Sequence, residues 1–558
     1  MVPFGYASGD SEDSRDKHNG RGKDEDEDDE ASEHISWYVL FVASLSAIGG
    51  FLFGYDTGII SGAMLFIQEE FALDTLQVEF VVGATTLGAI FGGLGAGFLS
   101  DRLGRRPVTL LSSIVFLAGA LMMALAPGYG LLLTGRLVVG FGVGLASMVV
   151  PTYISEVSPK QYRGQLVTMN VLMITGGQLI AYCMSAALSN ADHGWRIMFG
   201  LAAVPPIIQL IGMPFLPESP RYLLRRRRGT PSENRAAARR VLYRTTAVDP
   251  VDRELLAIEH AAEQTAGATY ADLLLDPHHR RSLMVACGLQ AFQQLSGFNT
   301  AMYYAASILR MSGFRDKQSA VGFSILVAGT NMLMTIVAIR YVDRVGRRRI
   351  LLYTVAVTAL ALLLLGLAFA FLLGMQPYQA DCYSYARCGA CVADDRCAYA
   401  QDRCLPRNRV LLPDTAAGPL DSTLPQGSLQ CAEAEVGSWL ALAALLLYVA
   451  AYALGLGNVP WLIQSELFPL ALRGRAGGLA TSVNWVCNLA VAVSFLSLTH
   501  AITAAGTFWL YGGIVLVAWW FVWRCVPETA GRTLEELGGR HHRRSRRPTQ
   551  MVADENAV

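Results

Sequence analysis

The chain has 558 residues, 53% of them hydrophobic and 16% charged, against about 25% charged in an average soluble domain. A soluble chain of this length divides into about three or four domains, and so few charges cannot coat their surfaces, which excludes an ordinary soluble enzyme and points to a polytopic membrane protein. The 45 basic residues balance the 45 acidic ones, so net charge gives no sign of nucleic acid, and the information lies in where the charges fall.

Residues 1–34 carry twelve acidic and four basic residues. Such a segment cannot bury enough apolar surface to fold alone and is expected to be a disordered tail. It lacks the basic start and apolar core of a secretory signal. Twelve apolar stretches follow, each near the roughly 20 residues needed to cross a bilayer core about 30 Å thick. They run over 37–62, 77–100, 107–126, 130–152, 165–189, 195–216, 282–310, 319–341, 350–374, 437–464, 475–499 and 505–526. In the second, Gly92, Gly93, Gly95 and Gly97 offer a small-residue face for close packing.

The connections alternate in charge. Those after even-numbered spans carry Arg102, Arg105, Arg106, Lys160, Arg163, the Arg225–Arg228 run, Arg344, Arg347–Arg349, Arg473 and Arg475, whereas the first connection holds Glu69, Glu70, Asp74 and Glu79 and no basic residue. The positive-inside rule then puts the even connections and both termini in the cytoplasm. The expected fold class is an all-α membrane protein of twelve transmembrane helices in two pseudo-symmetric six-helix halves, over 35–216 and 281–526. A cytoplasmic linker over 217–280 is expected to form short amphipathic helices near Glu233–Tyr243 and Pro250–Glu263. Residues 527–558 form a cytoplasmic tail with an arginine- and histidine-rich end.

Duplication is written in three patterns. Asp101-Arg-Leu-Gly-Arg-Arg106 recurs as Asp343-Arg-Val-Gly-Arg-Arg348, an offset of 343 − 101 = 242. Glu156 with Arg163 recurs as Glu466 with Arg473, and Pro217-Glu218-Ser219 as Pro527-Glu528-Thr529, both offset by 466 − 156 = 527 − 217 = 310. The difference, 310 − 242 = 68 residues, locates an insertion in the second half. The polar stretch 375–436 fits it and holds Cys382, Cys388, Cys391, Cys397, Cys404 and Cys431. Charge alternation places it outside, where disulfides persist, so a small disulfide-stapled module is expected, with 15 pairings open. A zinc site is the alternative, from the CxxC spacing of Cys388 and Cys391. Cys183, Cys287, Cys487 and Cys525 are isolated in apolar spans and read as packing residues.

Polar residues inside the spans are the candidate site. Asp56 lies in the first span, where a carboxylate is costly unless paired, hydrated or protonated. Arg136 in the fourth span is its evident partner, giving a latch that is paired when Asp56 is ionised and released when it takes a proton. The plain alternative is a static ion pair. Hydroxyl-rich rings need donors and acceptors without charge, which amides supply. Gln293 and Gln294 are adjacent, about 100° apart on a helix, so both face one cavity only where the helix ends or breaks, and Gly297 permits a break. Asn299 and Tyr303 share a helix face. Gln178, Asn331, Asn484 and Asn488 add polar groups, although buried amides in spans also simply bond neighbouring helices.

Several longer motifs resemble the major facilitator superfamily from about residue 37 to 533, and within it the sugar-porter branch: Pro217-Glu-Ser-Pro-Arg221, Gln293-Gln-Leu-Ser-Gly297 with Asn299, Val459-Pro-Trp461 and Pro527-Glu-Thr529. Phe53-Gly-Tyr-Asp-Thr-Gly-Ile-Ile-Ser-Gly-Ala-Met64 and the cysteine-rich insertion are most similar to the proton-coupled myo-inositol transporters. The resemblance implies that Gln178, Gln293, Gln294, Asn299, Asn331, Trp461, Asn484 and Asn488 line a central site, with Trp461 offering a flat apolar face to the cargo. It implies that Asp56 marks a proton-coupled member. It also implies that Arg105, Arg106, Glu156, Arg163, Glu218 and Arg221, with Arg347, Arg348, Glu466, Arg473 and Glu528, form salt bridges between the halves that close the cytoplasmic side. Plain positive-inside topology is the alternative for these charges. Where hexose facilitators of the branch carry a Glu eight residues before the Trp, this chain has Ala453.

The expected function is therefore a proton–polyol symporter, most specifically for myo-inositol, with a proton–hexose symporter and a non-transporting sugar sensor as alternatives. A potential of 100 mV supplies about 2.3 kcal/mol per charge, enough for roughly 40- to 50-fold accumulation of a neutral polyol. The expected partners are the cargo and the lipid bilayer, with no nucleic acid, no metal and no cofactor beyond the coupling proton. A functional monomer is expected in the plasma membrane rather than the vacuolar one. No nucleophile–base pattern, P-loop or dinucleotide fingerprint suggests an enzyme, and the duplicated plan suggests rocking rather than a fixed channel.

Overall fold

The structure, a computed structural model, describes residues 36–159, 162–226, 230–245, 251–265, 269–314, 317–373, 397–400, 403–406, 432–468 and 470–529. The acidic tail over 1–34, Lys160, Arg227, Arg228, Cys382, Cys388, Cys391, Cys431 and the tail beyond residue 529 lie outside the described residues.

The first six apolar stretches become α1 (Trp37–Glu70), α2 (Thr75–Leu103), α3 (Arg105–Ala124), α4 (Tyr129–Val157), α5 (Arg163–Leu188) and the pair α6 (Gly194–Leu201) and α7 (Val204–Gly212). Sequence punctuation sets their ends. Asp74 and Gln77 form a reciprocal capping box that starts α2. Short helices follow: α8 (Pro220–Arg225), α9 (Pro231–Thr245), α10 (Val251–Thr265) and α11 (Tyr270–Leu275). Of these, α9 and α10 cover the two amphipathic segments expected in the linker.

The remaining helices are α12 (Pro277–Leu295), α13 (Phe298–Tyr303), α14 (Ala305–Met311), α15 (Lys317–Val345), α16 (Arg347–Leu373), α17 (Ala432–Leu454), α18 (Val459–Glu466), α19 (Leu470–Ala492) and α20 (Phe495–Cys525). Among the described residues, ten helical stretches have the length and apolarity to cross a bilayer. Two expected spans differ: the seventh is broken into α12, α13 and α14, and the eleventh, α19, carries Arg473, Arg475, Asn484 and Asn488. The chain also breaks at Val493–Ser494, so residues 495–499 start the last helix instead of ending α19. Within the cysteine-rich stretch, β1 (Cys397–Ala400) pairs antiparallel with β2 (Arg403–Pro406), a hairpin that the all-α expectation did not include.

The N-terminal helices pack mainly on one another, α2 and α3 on α4 and α1 on α5, and the C-terminal ones likewise, α16 on α17 and α20 and α12 on α19. The two sets meet where α5 touches α15 and α2 touches α19. The close α2–α4 crossing is made by Gly88 against Leu137 O, Gly92 against Phe141 O, Gly140 against Thr85 O and Gly144 against Ala89 O, each at a spacing that admits no side chain. Of the expected glycine face only Gly92 has this role; a Cβ at Gly95 or Gly97 would meet only flexible side-chain ends. The duplication is structural as well. Gly104 and Gly346, offset by 346 − 104 = 242, both take positive φ, 106° and 95°, and a Cβ on either would run into Glu218 or Glu528 respectively.

Candidate functional site

α1 is buried around most of its middle, which puts Asp56 inside protein rather than against lipid. Arg136 on α4 is 1% exposed and Asp56 6%. Arg136 Nη1 donates to Asp56 Oδ1 at 2.5 Å, and its Nε donates to Val81 O at 3.3 Å. A small hollow lined by Leu52, Tyr55, Phe116, Ala120, Met123 and Val139 lies against Asp56. The expected partnership is thus present, and removing either member strands the other in a low-dielectric interior.

The amides converge on a second cluster. α12 ends at Leu295, Gly297 takes φ 82° and α13 restarts at Phe298. That break lets both adjacent glutamines turn inward. Gln293 Nε2 donates to Leu456 O at 2.6 Å and Gly457 O at 3.0 Å, the unwound link between α17 and α18. Gln294 Nε2 donates to Asn484 Oδ1 at 3.0 Å and its Oε1 accepts from Asn299 Nδ2 at 2.7 Å. Asn484 Nδ2 donates to Gln293 Oε1 at 2.8 Å and to Gln290 Oε1 at 2.7 Å. Between the two helix sets, Asn331 Nδ2 donates to Gln178 Oε1 at 2.9 Å.

Tyr303 is buried near the ion pair. Its hydroxyl accepts from Asn488 Nδ2 at 3.4 Å and lies within electrostatic reach of both Asp56 and Arg136. Trp461 stands apart from this network on α18, 41% exposed. The adjacent Asn484 and Trp485 are both buried. Asn484 faces the amides, and Trp485 packs edge-on against Phe53 at 5.7 Å between centroids. Two amides escaped the sequence reading. Gln290 is buried, and its Nε2 donates to Gln464 Oε1 at 2.8 Å. Spacing would have found Gln290, which stands three and four residues before Gln293 and Gln294 on a shared helix face; Gln464 is marked only by its bond to Gln290.

The charges at the arginine-rich helix ends form two matching clusters. Glu218 accepts from the backbone N–H of Arg105 at 3.0 Å and of Ser219 at 2.8 Å; Glu528 accepts from those of Arg347 at 2.9 Å and Thr529 at 3.1 Å. Arg105 pairs with Glu156 at 3.0 Å, and Arg347 with Glu466 at 3.1 Å. Burial pushes the Glu218 carboxyl up, against the N–H donors that pull it down. Each of these pairs joins elements of one helix set rather than crossing between the halves. Across the seam, Arg163 and Arg221 of the first half lie within electrostatic reach of Arg473 of the second, with Glu156 and Glu254 close to Arg163 and Glu466 close to Arg473. Arg473 donates to Phe468 O at 3.4 Å.

Cys183, Cys287, Cys487 and Cys525 are free thiols. Among the described residues no His, Cys, Asp and Glu group has the arrangement to hold a metal. The CxxC pair on which the zinc alternative rested lies outside the described residues.

Comparison with known proteins gives a consistent neighbourhood. The family model described as "Sugar (and other) transporter" matches residues 42–386 and 423–539. The human proton myo-inositol cotransporter is 39% identical over 532 residues, covering 90% of this chain and 81% of that protein. Inositol transporter 4 of Arabidopsis thaliana is 38% identical over 538 residues, 90% of this chain and 91% of that one. Among solved structures, the partially occluded inward-open form of the xylose transporter XylE from E. coli superposes with a TM-score of 0.67 at 25% identity, covering 89% of this chain and 100% of that one.

Proposed function

The chain belongs to the sugar (and other) transporter family, and from that premise we propose that it carries myo-inositol together with a proton across a membrane by alternating access. It is a multi-pass membrane transporter and not an enzyme. The observation that supports the coupling best is the buried Asp56–Arg136 pair, 2.5 Å between Oδ1 and Nη1, with the Tyr303 hydroxyl, which accepts from Asn488, standing in its field.

The mechanism follows from the two clusters. With Asp56 ionised, Arg136 is held on α1 and α4 is locked to it. A proton taken up at the Asp56 carboxylate removes the attraction and frees the guanidinium, so the packing of α1 against α4 has two alternatives. The amides meet hydroxyls of the cargo as both donors and acceptors; when cargo enters, bonds now made between Gln294, Asn299 and Asn484 pass to it. The uncharged ring suits an uncharged, amide-lined site. Cargo and proton leave on the opposite face, the carboxylate giving up its proton and recapturing Arg136. Each cycle then moves one positive charge, and about 2.3 kcal/mol per 100 mV drives accumulation.

The finer architecture belongs to the same reading. We take the broken α12–α14 and the polar α19 as two further crossings, making twelve in two halves, with the arginine-rich ends and both termini cytoplasmic and the chain a monomer in the plasma membrane. The six-cysteine segment then lies outside and is stapled by disulfides, which peptide mapping without reduction would reveal. The test of cargo and coupling is uptake of labelled myo-inositol and glucose into vesicles reconstituted with the protein, with and without an imposed pH gradient. Inositol uptake that rises with the gradient is expected. Glucose uptake without inositol uptake would favour the hexose symporter, and binding without uptake of either would favour the sensor.

A further inference from the structure

Glu79 takes no part in the cycle just described, yet it is a carboxylate 1% exposed, one turn into α2 at the end opposite the arginine-rich ends. Its partner comes from the other half of the chain: Oε1 accepts from the backbone N–H of Ser497 at 2.8 Å and Oε2 from the Ser497 hydroxyl at 2.6 Å. Among the described residues no cation pairs with Glu79. A buried, uncompensated carboxylate is tolerated only while its hydrogen bonds are made. Its two Ser497 bonds are therefore either both present, with the faces closed, or replaced by water, with the faces parted.

The receiving segment is built to let go. Ser494, just before α20, gives no side-chain cap to the helix; its hydroxyl donates backward to Ala490 O at 2.7 Å. The free N–H groups of the first turn are left for an outside acceptor, and Glu79 supplies it. Farther along, α20 is interrupted at Ile502 and Thr503, with Thr503 at φ 67°. Positive φ is an outlier for a β-branched residue. Thr503 Oγ1 accepts from Gly506 N–H at 3.3 Å and so starts the following helical piece afresh. Residues 495–501 are thus a short separate piece between two breaks. The other contacts across this face are neutral, such as the Ser61 hydroxyl accepting from Ala306 N–H at 3.1 Å and the Tyr182 hydroxyl donating to Met302 O at 2.5 Å, or exposed, such as the Glu69–Lys317 pair.

We infer that Glu79 is the charged latch of the outer gate: by holding Ser497 it keeps the two halves shut on the outer face, and cargo enters from outside only after that carboxylate releases the 495–501 piece. The inference rests on the alternating-access reading but not on the identity of the cargo.

Hydrogen–deuterium exchange of the full chain in lipid nanodiscs, without substrate, reads the latch directly. In Glu79→Ala, peptides covering residues 75–86 and 490–501 are expected to exchange several-fold faster, while peptides covering 98–106 and 343–350 exchange more slowly as the population turns outward. Ser497→Ala, which keeps the backbone donor, is expected to shift both in the same directions by less, and Ser494→Ala to shift neither. Unchanged exchange at 490–501 in Glu79→Ala would overturn the latch, as would faster exchange at both faces, the mark of a merely structural contact. The predicted pattern in a protein that carried no inositol would overturn the cargo and leave the latch standing.

Discussion

Asp56 and Arg136 stand out in the sequence because each is a charge in a long apolar run, where no solvated face is available to it. Their meeting at 2.5 Å fixes the first expectation. Asp56→Asn strands Arg136 at a cost of about 3–5 kcal/mol, so lower thermal stability is expected, with accumulation against a gradient abolished and cargo exchange retained in counterflow assays. The amides are legible for the same reason, but their individual bonds are not. Asn484 holds three glutamines at once, Gln290, Gln293 and Gln294. Removing such a neutral hydrogen bond costs about 0.5–1.5 kcal/mol. Asn484→Ala is therefore expected to raise KM for the cargo about tenfold, with a smaller change in maximal rate, measured by initial uptake. Gln464 was harder to see because its role depends on Gln290 of a distant helix, which no local pattern reports.

At the level of elements, helix breaks decide where polar groups face. The break after α12 is legible because Gly297 follows paired glutamines, and the structure gives it φ 82°. A left-handed conformation costs a non-glycine residue about 1–2 kcal/mol, and a Cβ there would lie 2.6 Å from the Tyr511 ring. Gly297→Ala is expected to lower the melting temperature and slow uptake, whereas Gly322→Ala on α15, which has nothing within 4 Å, should leave both unchanged. The break at Val493–Ser494 and the kink at Ile502–Thr503 carry no glycine or proline, and tertiary contacts rather than local preference impose them; hence the expected boundary between the last two spans was misplaced. The glycine face was half legible for a related reason: composition marks α2 as a packing helix, but only the partner α4 selects Gly88 and Gly92 over Gly95 and Gly97.

Across the whole molecule, the repeated charge motifs reveal the duplication but not what each acid touches. Glu218 and Glu528 serve equivalent backbone N–H groups in the two copies, so Glu218→Ala and Glu528→Ala are expected to lower stability by similar amounts, read as parallel shifts in melting temperature. The face opposite the arginine-rich ends is bonded across by Glu79, Ser61 and Tyr182. The central claim, that Asp56 makes a neutral cargo travel with a charge, is tested most directly in a voltage-clamped cell expressing the chain. Adding myo-inositol outside should evoke an inward current that grows with hyperpolarisation and external acid, with one charge per labelled molecule taken up, and Asp56→Asn should abolish it. Full uptake of labelled inositol with no current, or a current undiminished in Asp56→Asn, would contradict it.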